Sequence, residues 1–435
     1  MPNPSPSRVS INTAVRRNAQ SVSLALRRIA ITLVTAAAFT VAPLAEAADS
    51  NDNEHWVGTW GNALHQPAPG FPGLSNSGFH NQTLRQIVHI SVGGPRVRVR
   101  LSAFASGGVT IGAAHVALHD TGSGIVSGSD RTLTFNAGRS ITIPPGGLVV
   151  SDPVDLNVPA QSDLAVSIFV PGDTGPATWH FDGRQISFIS PPGDFTASDV
   201  LPVSSTTRAR FWLAGVDVLA PRQTGAIAAI GTSFTDGSRS TVNANHRWPD
   251  YLAQRLLAQY PMSRFGNQAL GVLNEGIPGN RLLHDGLGPS GLARFDRDVL
   301  DQPGVTHVIV ELGSADTFFF TNPAEEVSAD EIIQGHKELI QRAHAKGLKI
   351  FGCTWSPGGF LDPIEGKRQA LNAWIRTSGE YDAVIDFDLV LRDPNAPSKI
   401  NAVYDSGDHG HPNDLGDLAL ANAIDLRLFN VEGRQ

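Results

Sequence analysis

The sequence predicts a two-part fold, with an all-β sandwich or jelly roll over residues 49–220 and an α/β domain with a parallel sheet over 221–435. Residues 49 to about 218 hold many short apolar/polar alternating runs separated by turn residues, a pattern typical of antiparallel strands. From about Arg222, strand-like apolar runs alternate with amphipathic helical stretches, which indicates parallel strands flanked by helices. The 44 glycines and 29 prolines favour many turns.

The first half contains several strand candidates and no helix of convincing length. RVRVRL (96–101) alternates strictly, which predicts a strand with one charged face and one apolar face. Several short strands at this spacing are typical of a sandwich or jelly roll. The other candidate strands are TLRQIVHISV (83–92), VTIGAAHVAL (109–118), ITIPP (141–145), LAVSIFV (164–170) and ISFIS (186–190).

The second half follows the α/β pattern, after a linker expected at VLAPRQT (218–224). Ser328 and Glu331 form a capping box that opens a helix, and this helix should stop at Gly347. Ligands of such sheets bind outside the carboxyl ends of the strands. The candidate strands are GAIAAIG, LGVLNEG, THVIVELG, LKIFGCTWSP and YDAVIDFD, and the further helices are WPDYLAQRLLAQY, GKRQALNAWIRTSG and LGDLALANAIDLRLF.

The N-terminus has the features of an export signal over residues 1–48. Two Arg-Arg pairs precede an apolar run from Ile29 to Val41, and Ala45-Glu46-Ala47 has the small-x-small pattern of a cleavage site. The run is shorter than the roughly 20 residues that span a bilayer. We therefore expect cleavage near Ala47 or Ala48, a secreted or periplasmic protein, and no stable membrane anchor afterwards.

Composition excludes several classes of protein. Charged residues are 17% and hydrophobic residues 41%, which is incompatible with global disorder. The net charge of −8, without a basic block beyond the first 30 residues, disfavours a nucleic-acid partner. The single cysteine, Cys353, permits no intrachain disulfide and lies in a strand-like run where burial is expected. We expect no cofactor and no metal ion.

Three residues form a candidate catalytic set. Ser233 follows the first apolar strand of the α/β half, and Asp408 and His411 lie three residues apart in the loop GDHGHPND. A nucleophilic serine needs a base, and the base needs an orienting acid. Each residue also has a structural alternative, since a serine after a strand is often an N-cap and HPND alone could be a turn before the last helix.

The sequence resembles the SGNH/GDSL family of serine esterases and lipases from about residue 56 to 426. GTSFTDG, NEGIPGNRLL, ELGSADTF and GDHGHPND resemble its four blocks in the expected order, and WVGTWGNAL (56–64) resembles the β-rich region of large secreted members. The resemblance implies a flavodoxin-like three-layer α/β/α fold and a Ser-His-Asp triad of Ser233, His411 and Asp408. It also implies an oxyanion hole made by the backbone amides of Ser233 and Gly279.

Two positions depart from the family pattern. Thr232 replaces the Asp of G-D-S, and Ala315 replaces the Asn that donates to the oxyanion. Loss of one such donor typically costs on the order of 10²–10³ in turnover. Ser314 or Asn280 could supply a substitute donor. We interpret Thr232 as a change in the support of the turn, because Thr keeps an acceptor but carries no charge.

The function predicted is hydrolysis of small or carbohydrate-linked carboxylic esters through a covalent acyl-enzyme. The possible substrate-pocket residues are Ser314, Asp316, Phe318 and Asn280. The first alternative is a weakened or inactive relative that binds acyl or carbohydrate ligands. The second is a carbohydrate-binding or adhesion protein acting through the β half. The sequence carries no signal of oligomeric state.

Overall fold

The fold was analysed in a computed structural model that describes residues 53–67, 74–259, 269–319 and 322–429. The predicted signal segment, residues 1–48, lies outside the described residues. The described part of the chain belongs to one compact unit spanning residues 50–435. Within it, no helix has the length and apolarity needed to cross a membrane.

The first part of this unit, up to Pro221, is built almost entirely of antiparallel strands. One sheet has the order β1-β15-β3-β8, with β9 also paired to β3, and the other has the order β13-β12-β2-β10-β5-β6. The elements are β1 (Glu54–Gly61), α1 (Leu74–Ser77), β2 (Gln82–His89), β3 (Gly94–Ser102), β4 (Val109–Ile111), β5 (Ala113–Leu118), β6 (Arg131–Leu133), β7 (Ile141–Ile143), β8 (Leu148–Val150), β9 (Val154–Val158), β10 (Asp163–Val170), β11 (Trp179–His180), β12 (Ser187–Pro192), β13 (Ser205–Thr207), β14 (Arg210–Phe211) and β15 (Leu213–Pro221).

The two sheets face each other as a sandwich. Alternate residues of β3 and β10, such as Val97, Val99, Val166 and Ile168, are fully buried in one common core. The opposite face of β3 carries its arginines, as the alternation predicts. That face is itself partly covered, and Arg98 and Arg100 both pair with the fully buried Asp217 of β15. The β-rich antiparallel half is therefore confirmed.

The second part contains a parallel sheet in the order β17-β16-β18-β19-β20. If these five strands are numbered in chain order, their order across the sheet is 2-1-3-4-5, which is a doubly wound arrangement. In such sheets the ligand binds at the carboxyl ends of the strands, at the point where the strand order reverses. Its elements, with a second small hairpin, are β16 (Gly225–Gly231), α2 (Ser233–Asp236), α3 (Trp248–Gln259), β17 (Leu270–Gly276), α4 (Gly291–Phe295), β18 (Val305–Glu311), α5 (Ala329–Ala345), β19 (Lys349–Cys353), α6 (Ile364–Thr377), β20 (Ala383–Ile385), α7 (Phe387–Leu391), β21 (Arg392–Asp393), β22 (Ala396–Ile400) and α8 (Asp414–Ala423).

Helices cover both faces of this sheet. Ile230, Val308 and Val310 pack on one side with α5 and α6, whereas Ile227 and Ile309 pack on the other with α3 and α8. The predicted three-layer α/β/α class is therefore confirmed. The capping box of Ser328 and Glu331 is present at the start of α5, and Cys353 is buried in β19.

The sandwich packs directly against the edge strand β17. A Cβ atom at Gly271 would lie 2.2 Å from the carbonyl oxygen of Gly58 in β1, so only glycine permits this approach of the two backbones. The Val272 N–H donates to Ser91 Oγ at 2.9 Å across the same contact. The sandwich therefore covers an edge strand that would otherwise be open to pairing.

Several element boundaries differ from the sequence predictions; the predicted strand 381–388, for example, is the short β20, and its last two residues belong to α7. The predicted linker 218–224 is wrong in its first half, because β15 runs to Pro221 between β1 and β3. The run 109–118 is two strands separated at Gly112, since β4 pairs with β7 whereas β5 pairs with β6 and β10. The last predicted helix ends at Ala423, and a 3₁₀ turn, Leu426–Phe429, follows it.

Candidate active site

Ser233 lies at the carboxyl end of β16, at the switch point of the parallel sheet. Thr232 is the N-cap of α2, and its Oγ1 accepts a hydrogen bond from the Phe234 N–H. Ser233 is the first residue of the helix, so the capping function belongs to its neighbour. The Ser233 hydroxyl is thereby available for another interaction.

The buried carboxyl group of Glu311 accepts hydrogen bonds from this turn. Glu311 ends the adjacent strand β18, and its Oε2 accepts from the Thr232 N–H and from Thr232 Oγ1, both at 2.8 Å. Thr235 Oγ1 donates to the same oxygen at 3.2 Å. Burial raises the pKa of Glu311 to about 7, although these hydrogen bonds oppose the shift. Aspartate at 232 would bring a second carboxyl group to this site, and Thr232 instead supplies donors.

The loop before α8 brings an imidazole to Ser233. His411 Nε2 lies 2.9 Å from Ser233 Oγ, and His411 Nδ1 lies 2.8 Å from Asp408 Oδ2. A carboxylate on Nδ1 fixes the tautomer in which Nε2 accepts the serine proton. The three predicted residues are thus brought together in the relation that nucleophilic activation requires.

Asp408 is held as an anion by several donors. Its Oδ1 accepts from the backbone N–H groups of Gly410 and His411, both at 2.9 Å. Arg239 Nε donates to Oδ2 at 2.8 Å, the oxygen that also faces His411 Nδ1. Partial burial alone raises the pKa of Asp408, but the hydrogen bonds from Gly410 and His411 hold it well below its usual range.

Two backbone amides point to a place for an oxyanion. Within the described residues, neither the Ser233 N–H nor the Gly279 N–H has a recorded acceptor, and both residues line the same cavity. Gly279 follows β17 and has φ +68°, a left-handed conformation that favours glycine. Both are available to an oxygen beside Ser233 Oγ.

Ala315 occupies the position at which the SGNH/GDSL pattern has asparagine. It begins a 3₁₀ turn, Ala315–Thr317, after β18 and lines the cavity together with Ser314. The methyl side chain of Ala315 cannot donate a hydrogen bond. The Ser314 hydroxyl, in contrast, has no recorded partner among the described residues and lies beside the cavity.

The cavity around Ser233 has a volume of about 660 Å³. Ser314 and Phe318 line it, as predicted for pocket residues. One wall is apolar and the other comes largely from the β-rich half. The apolar wall includes Ile277, Leu287, Phe318, Phe319, Trp355 and Phe360, and the second wall includes His65, Trp179, Phe181, Asp182, Arg184 and Arg208.

Two predicted pocket residues lie behind the cavity wall instead. Asn280 is buried, donates from Nδ2 to the Pro289 carbonyl and accepts from Arg294 Nε, so it cannot replace the missing oxyanion donor. Asp316 is fully buried and accepts from the N–H groups of Leu282 and Leu283 at 2.6 and 2.9 Å. The pocket prediction is wrong for both residues, since their side chains support the loop after β17.

Sequence comparison assigns this part of the chain to a family. Residues 229–419 match the family described as GDSL-like lipase/acylhydrolase. They form a GDSL-like lipase/acylhydrolase domain. The match spans Ser233, Gly279, Ala315, Asp408 and His411, and membership of this family supports a hydrolase of ester substrates. The chain has no match among curated proteins.

Solved structures of related hydrolases resemble the chain at low identity. An acetyl xylan esterase from Geobacillus stearothermophilus is 20% identical, with 49% of this chain and 99% of that chain covered and a TM-score of 0.38. A GDSL-like lipase from Bacteroides thetaiotaomicron is 17% identical, with 48% and 88% covered and a TM-score of 0.36. These similarities are too distant to indicate a substrate.

The β-rich half contributes to the site of the GDSL-like domain in a way that the motifs did not indicate. His180 is buried, and its Nε2 lies 2.8 Å from Oδ1 of Asp236, the last residue of α2. His180 Nδ1 lies 3.0 Å from the Ala63 carbonyl oxygen, so each ring nitrogen faces an acceptor, an arrangement that favours the cationic ring. Burial alone lowers the pKa of His180, but Asp236 outweighs it and raises the pKa.

A second histidine from the same half is neutral. His65 lines the cavity, and burial lowers its pKa to about 3. Its Nε2 accepts from the Phe181 N–H at 3.2 Å, and Nδ1 donates to the Gln66 carbonyl at 3.1 Å. The sequence analysis missed both histidines and Glu311. Only Glu311 had a signal in the sequence, since it is the lone charged residue in the apolar run THVIVELG.

Proposed function

We propose that this protein is a serine esterase that hydrolyses carboxylic esters through an acyl-enzyme on Ser233. The observation that supports it most is the continuous hydrogen-bond chain from Asp408 through His411 to Ser233 Oγ. Family membership supports ester hydrolysis in general, and the chain of contacts supports this particular nucleophile.

The reaction proceeds in two steps. His411 Nε2 takes the Ser233 proton while Oγ bonds to the ester carbonyl carbon, and the Ser233 and Gly279 amides bind the oxyanion. The ester C–O bond then breaks, and His411 gives its proton to the departing alcohol. In the second step His411 activates a water molecule, which releases the acid and restores Ser233. Asp408 keeps the imidazole in the required tautomer throughout.

Covalent labelling tests the nucleophile without knowledge of the natural substrate. A fluorophosphonate should label the wild-type protein once, and Ser233→Ala should abolish both labelling and hydrolysis of p-nitrophenyl acetate. Ser378→Ala, at an exposed serine that ends α6, is the matched control and should change neither. Unchanged ester hydrolysis by pure Ser233→Ala protein would show that the assignment is wrong.

The alternative is a relative that binds acyl or carbohydrate ligands with little turnover. Ala315 favours this alternative, because a donor that the family uses in the transition state is missing. The same assay separates the two functions: labelling of Ser233 together with steady turnover supports the esterase, whereas ligand binding without labelling supports the binding protein.

We also propose export, from the signal-like features of residues 1–48, with the mature chain beginning near Ala47 or Ala48.

A further inference from the structure

One wall of the cavity is positively charged, although the protein as a whole is acidic. Among the described residues that line the cavity, the charged side chains are Asp182, Arg184, Arg208 and Arg239. Arg239 is paired with Asp408, so the uncompensated positive charge lies in the group of Asp182, Arg184 and Arg208. The formal net charge of the chain is −8. A local charge of opposite sign in a partly enclosed cavity attracts an anionic ligand.

Two of these cations share a single carboxylate. Asp182 Oδ2 lies 3.2 Å from Arg184 Nη1 and 3.0 Å from Arg208 Nη2, so the group of three carries one uncompensated positive charge. Arg184 is held in place by a further hydrogen bond to the Ser240 carbonyl. Arg208 makes its ion pair at the cavity while 47% of its side chain is exposed. Its remaining N–H groups can reach a ligand in the fork geometry that suits carboxylates and phosphates.

The cationic wall lies on the imidazole side of Ser233. Ser240, which accepts from Arg184, is next in sequence to Arg239, and Arg239 donates to Asp408 beside His411. These contacts connect the segment that holds Arg184 to the Asp408–His411 pair, and Arg184, Arg208 and His411 line the same cavity.

The aromatic wall lies on the oxyanion side. The Phe319 N–H donates to the Ala315 carbonyl at 2.9 Å. A Cβ atom at Gly279 would lie 3.5 Å from the Phe319 ring. The two ends of an ester bound at Ser233 therefore face different surroundings, one apolar and one cationic.

We propose that the preferred substrates are esters of an apolar acid with an alcohol that carries an anionic group, such as a carboxylate or phosphate. This inference rests on the proposed function. The leaving alcohol receives its proton from His411 and thus departs on the imidazole side, beside Arg184 and Arg208. The acyl group then occupies the aromatic wall near Phe318 and Phe319. Electrostatic attraction to the alcohol acts before and during the step in which its C–O bond breaks.

A neutral sugar fits this wall less well. Stacking on sugars requires an open aromatic face, but Trp179 is only 2% exposed and its Nε1 donates to the Gln66 carbonyl. Trp60 and Trp212, two further tryptophans of the β-rich half, are buried in the sandwich core.

The test uses the butanoate esters of 4-hydroxybenzoate and 4-hydroxybenzamide. The two alcohols have the same ring, and one carries an anionic carboxylate where the other carries a neutral amide. The quantity compared is the ratio of kcat/KM for the anionic ester to that for the neutral ester, which cancels general changes in activity. Arg208→Gln should lower this ratio roughly fivefold, and Arg208→Lys should retain most of it. Arg427→Gln removes an equal charge from an exposed Arg-Asp pair away from the cavity and should leave the ratio unchanged.

Ionic strength provides a second measurement that needs no variant. The wild-type ratio should fall as salt rises from about 0.01 to about 0.5 M, because screening weakens attraction to the guanidinium groups. An unchanged ratio in Arg208→Gln, with both esters hydrolysed, would overturn the inference and leave the esterase proposal intact. Failure of the wild-type protein to hydrolyse either ester, with no labelling of Ser233, would instead overturn the proposed function.

Discussion

Replacing Ala315 by asparagine should increase turnover, because it restores a donor at the one position of the oxyanion hole that lacks it. Ala315 lines the same cavity as Ser233 and Gly279, whose amides have no recorded acceptor in the described part of the chain. The cavity of about 660 Å³ leaves room for the larger side chain. The change leaves the contacts of His411 with Ser233 and Asp408 in place.

The size of the effect follows from the number of donors. Removal of one oxyanion donor costs about 10²–10³ in kcat, or about 3–4 kcal/mol. The backbone N–H groups of Ser233 and Gly279 are the first two donors, so the side-chain amide introduced by Ala315→Asn would be the third. The residues around position 315 pack against alanine, so they do not hold an asparagine side chain in the best orientation. We therefore expect kcat to rise by about 10- to 100-fold, below the full value. KM should change little, since the new hydrogen bond forms mainly in the transition state.

Steady-state hydrolysis of p-nitrophenyl acetate by Ala315→Asn and Ala315→Asp provides the measurement. Aspartate has nearly the same shape but its ionised carboxylate has no N–H to donate, so its kcat should not rise. An equal gain in both variants would refute the reasoning, because it would assign the effect to volume instead of hydrogen bonding. Ser314→Ala completes the set: if the Ser314 hydroxyl already acts as the third donor, that variant loses activity and Ala315→Asn gains most in its background.

Three further predictions concern the support of the nucleophile turn. Thr232→Asp, which introduces the aspartate of the family pattern, should destabilise the fold by about 2 kcal/mol at neutral pH, because the new carboxyl group would face Glu311. Urea unfolding measures this change, and a variant as stable as the wild-type protein would contradict the prediction. Glu311 has a folded-state pKa of about 7, raised above its ordinary value of 4.5, so its stabilising contribution is complete below about pH 4.5 and is lost as pH rises to about 7. Relative to Glu311→Gln, the wild-type protein should lose about 2–3 kcal/mol of unfolding free energy between about pH 5 and about pH 8, and parallel pH curves would disprove this. His180→Gln should cost about 3–5 kcal/mol by leaving Asp236 buried without its cation, whereas His180→Gln with Asp236→Asn should recover part of that loss in a double-mutant cycle.

The approach of Ser233 to Asp408 and His411 was predictable because two of these residues share one loop and the α/β pattern brings that loop to the strand end that carries Ser233. Asp408 and His411 lie three residues apart in one loop, and alternating strands and helices place that loop and Ser233 at the same edge of a parallel sheet. The fold class follows from the same periodicities. Strand limits were less predictable, as Gly112 shows: the residues before it pair with β7 and those after it pair with β6 and β10, and these partners are distant in sequence.

The support of the site was not predictable because it depends on pairs that are distant in sequence. Glu311 follows Thr232 by 79 residues, and Asp236 follows His180 by 56. Whether either pair meets is decided by the register of β18 beside β16, or by the packing of the sandwich against the GDSL-like domain. Neither is encoded in a short motif. Asn280 illustrates the converse, since its place in a recognised block did not show that Arg294 and Pro289 occupy its side chain.

The altered family residue Thr232 becomes intelligible once Glu311 is considered with it. An aspartate in the first block would bind backbone amides from within the turn, whereas here the acceptor lies below the turn, on β18, and Thr232 donates to it. Glu311 thus supplies a carboxyl group from the neighbouring strand, and the turn is supported without an aspartate at 232. No comparable replacement is seen for Asn at 315 among the described residues. Asn280 is engaged elsewhere, and Ser314 is one of three cavity serines, with Ser238 and Ser356, whose hydroxyl makes no hydrogen bond within the described residues. We therefore expect the two departures to have different physical consequences: the change at 232 should preserve the geometry of the nucleophile turn, and the change at 315 should weaken the stabilisation of the transition state.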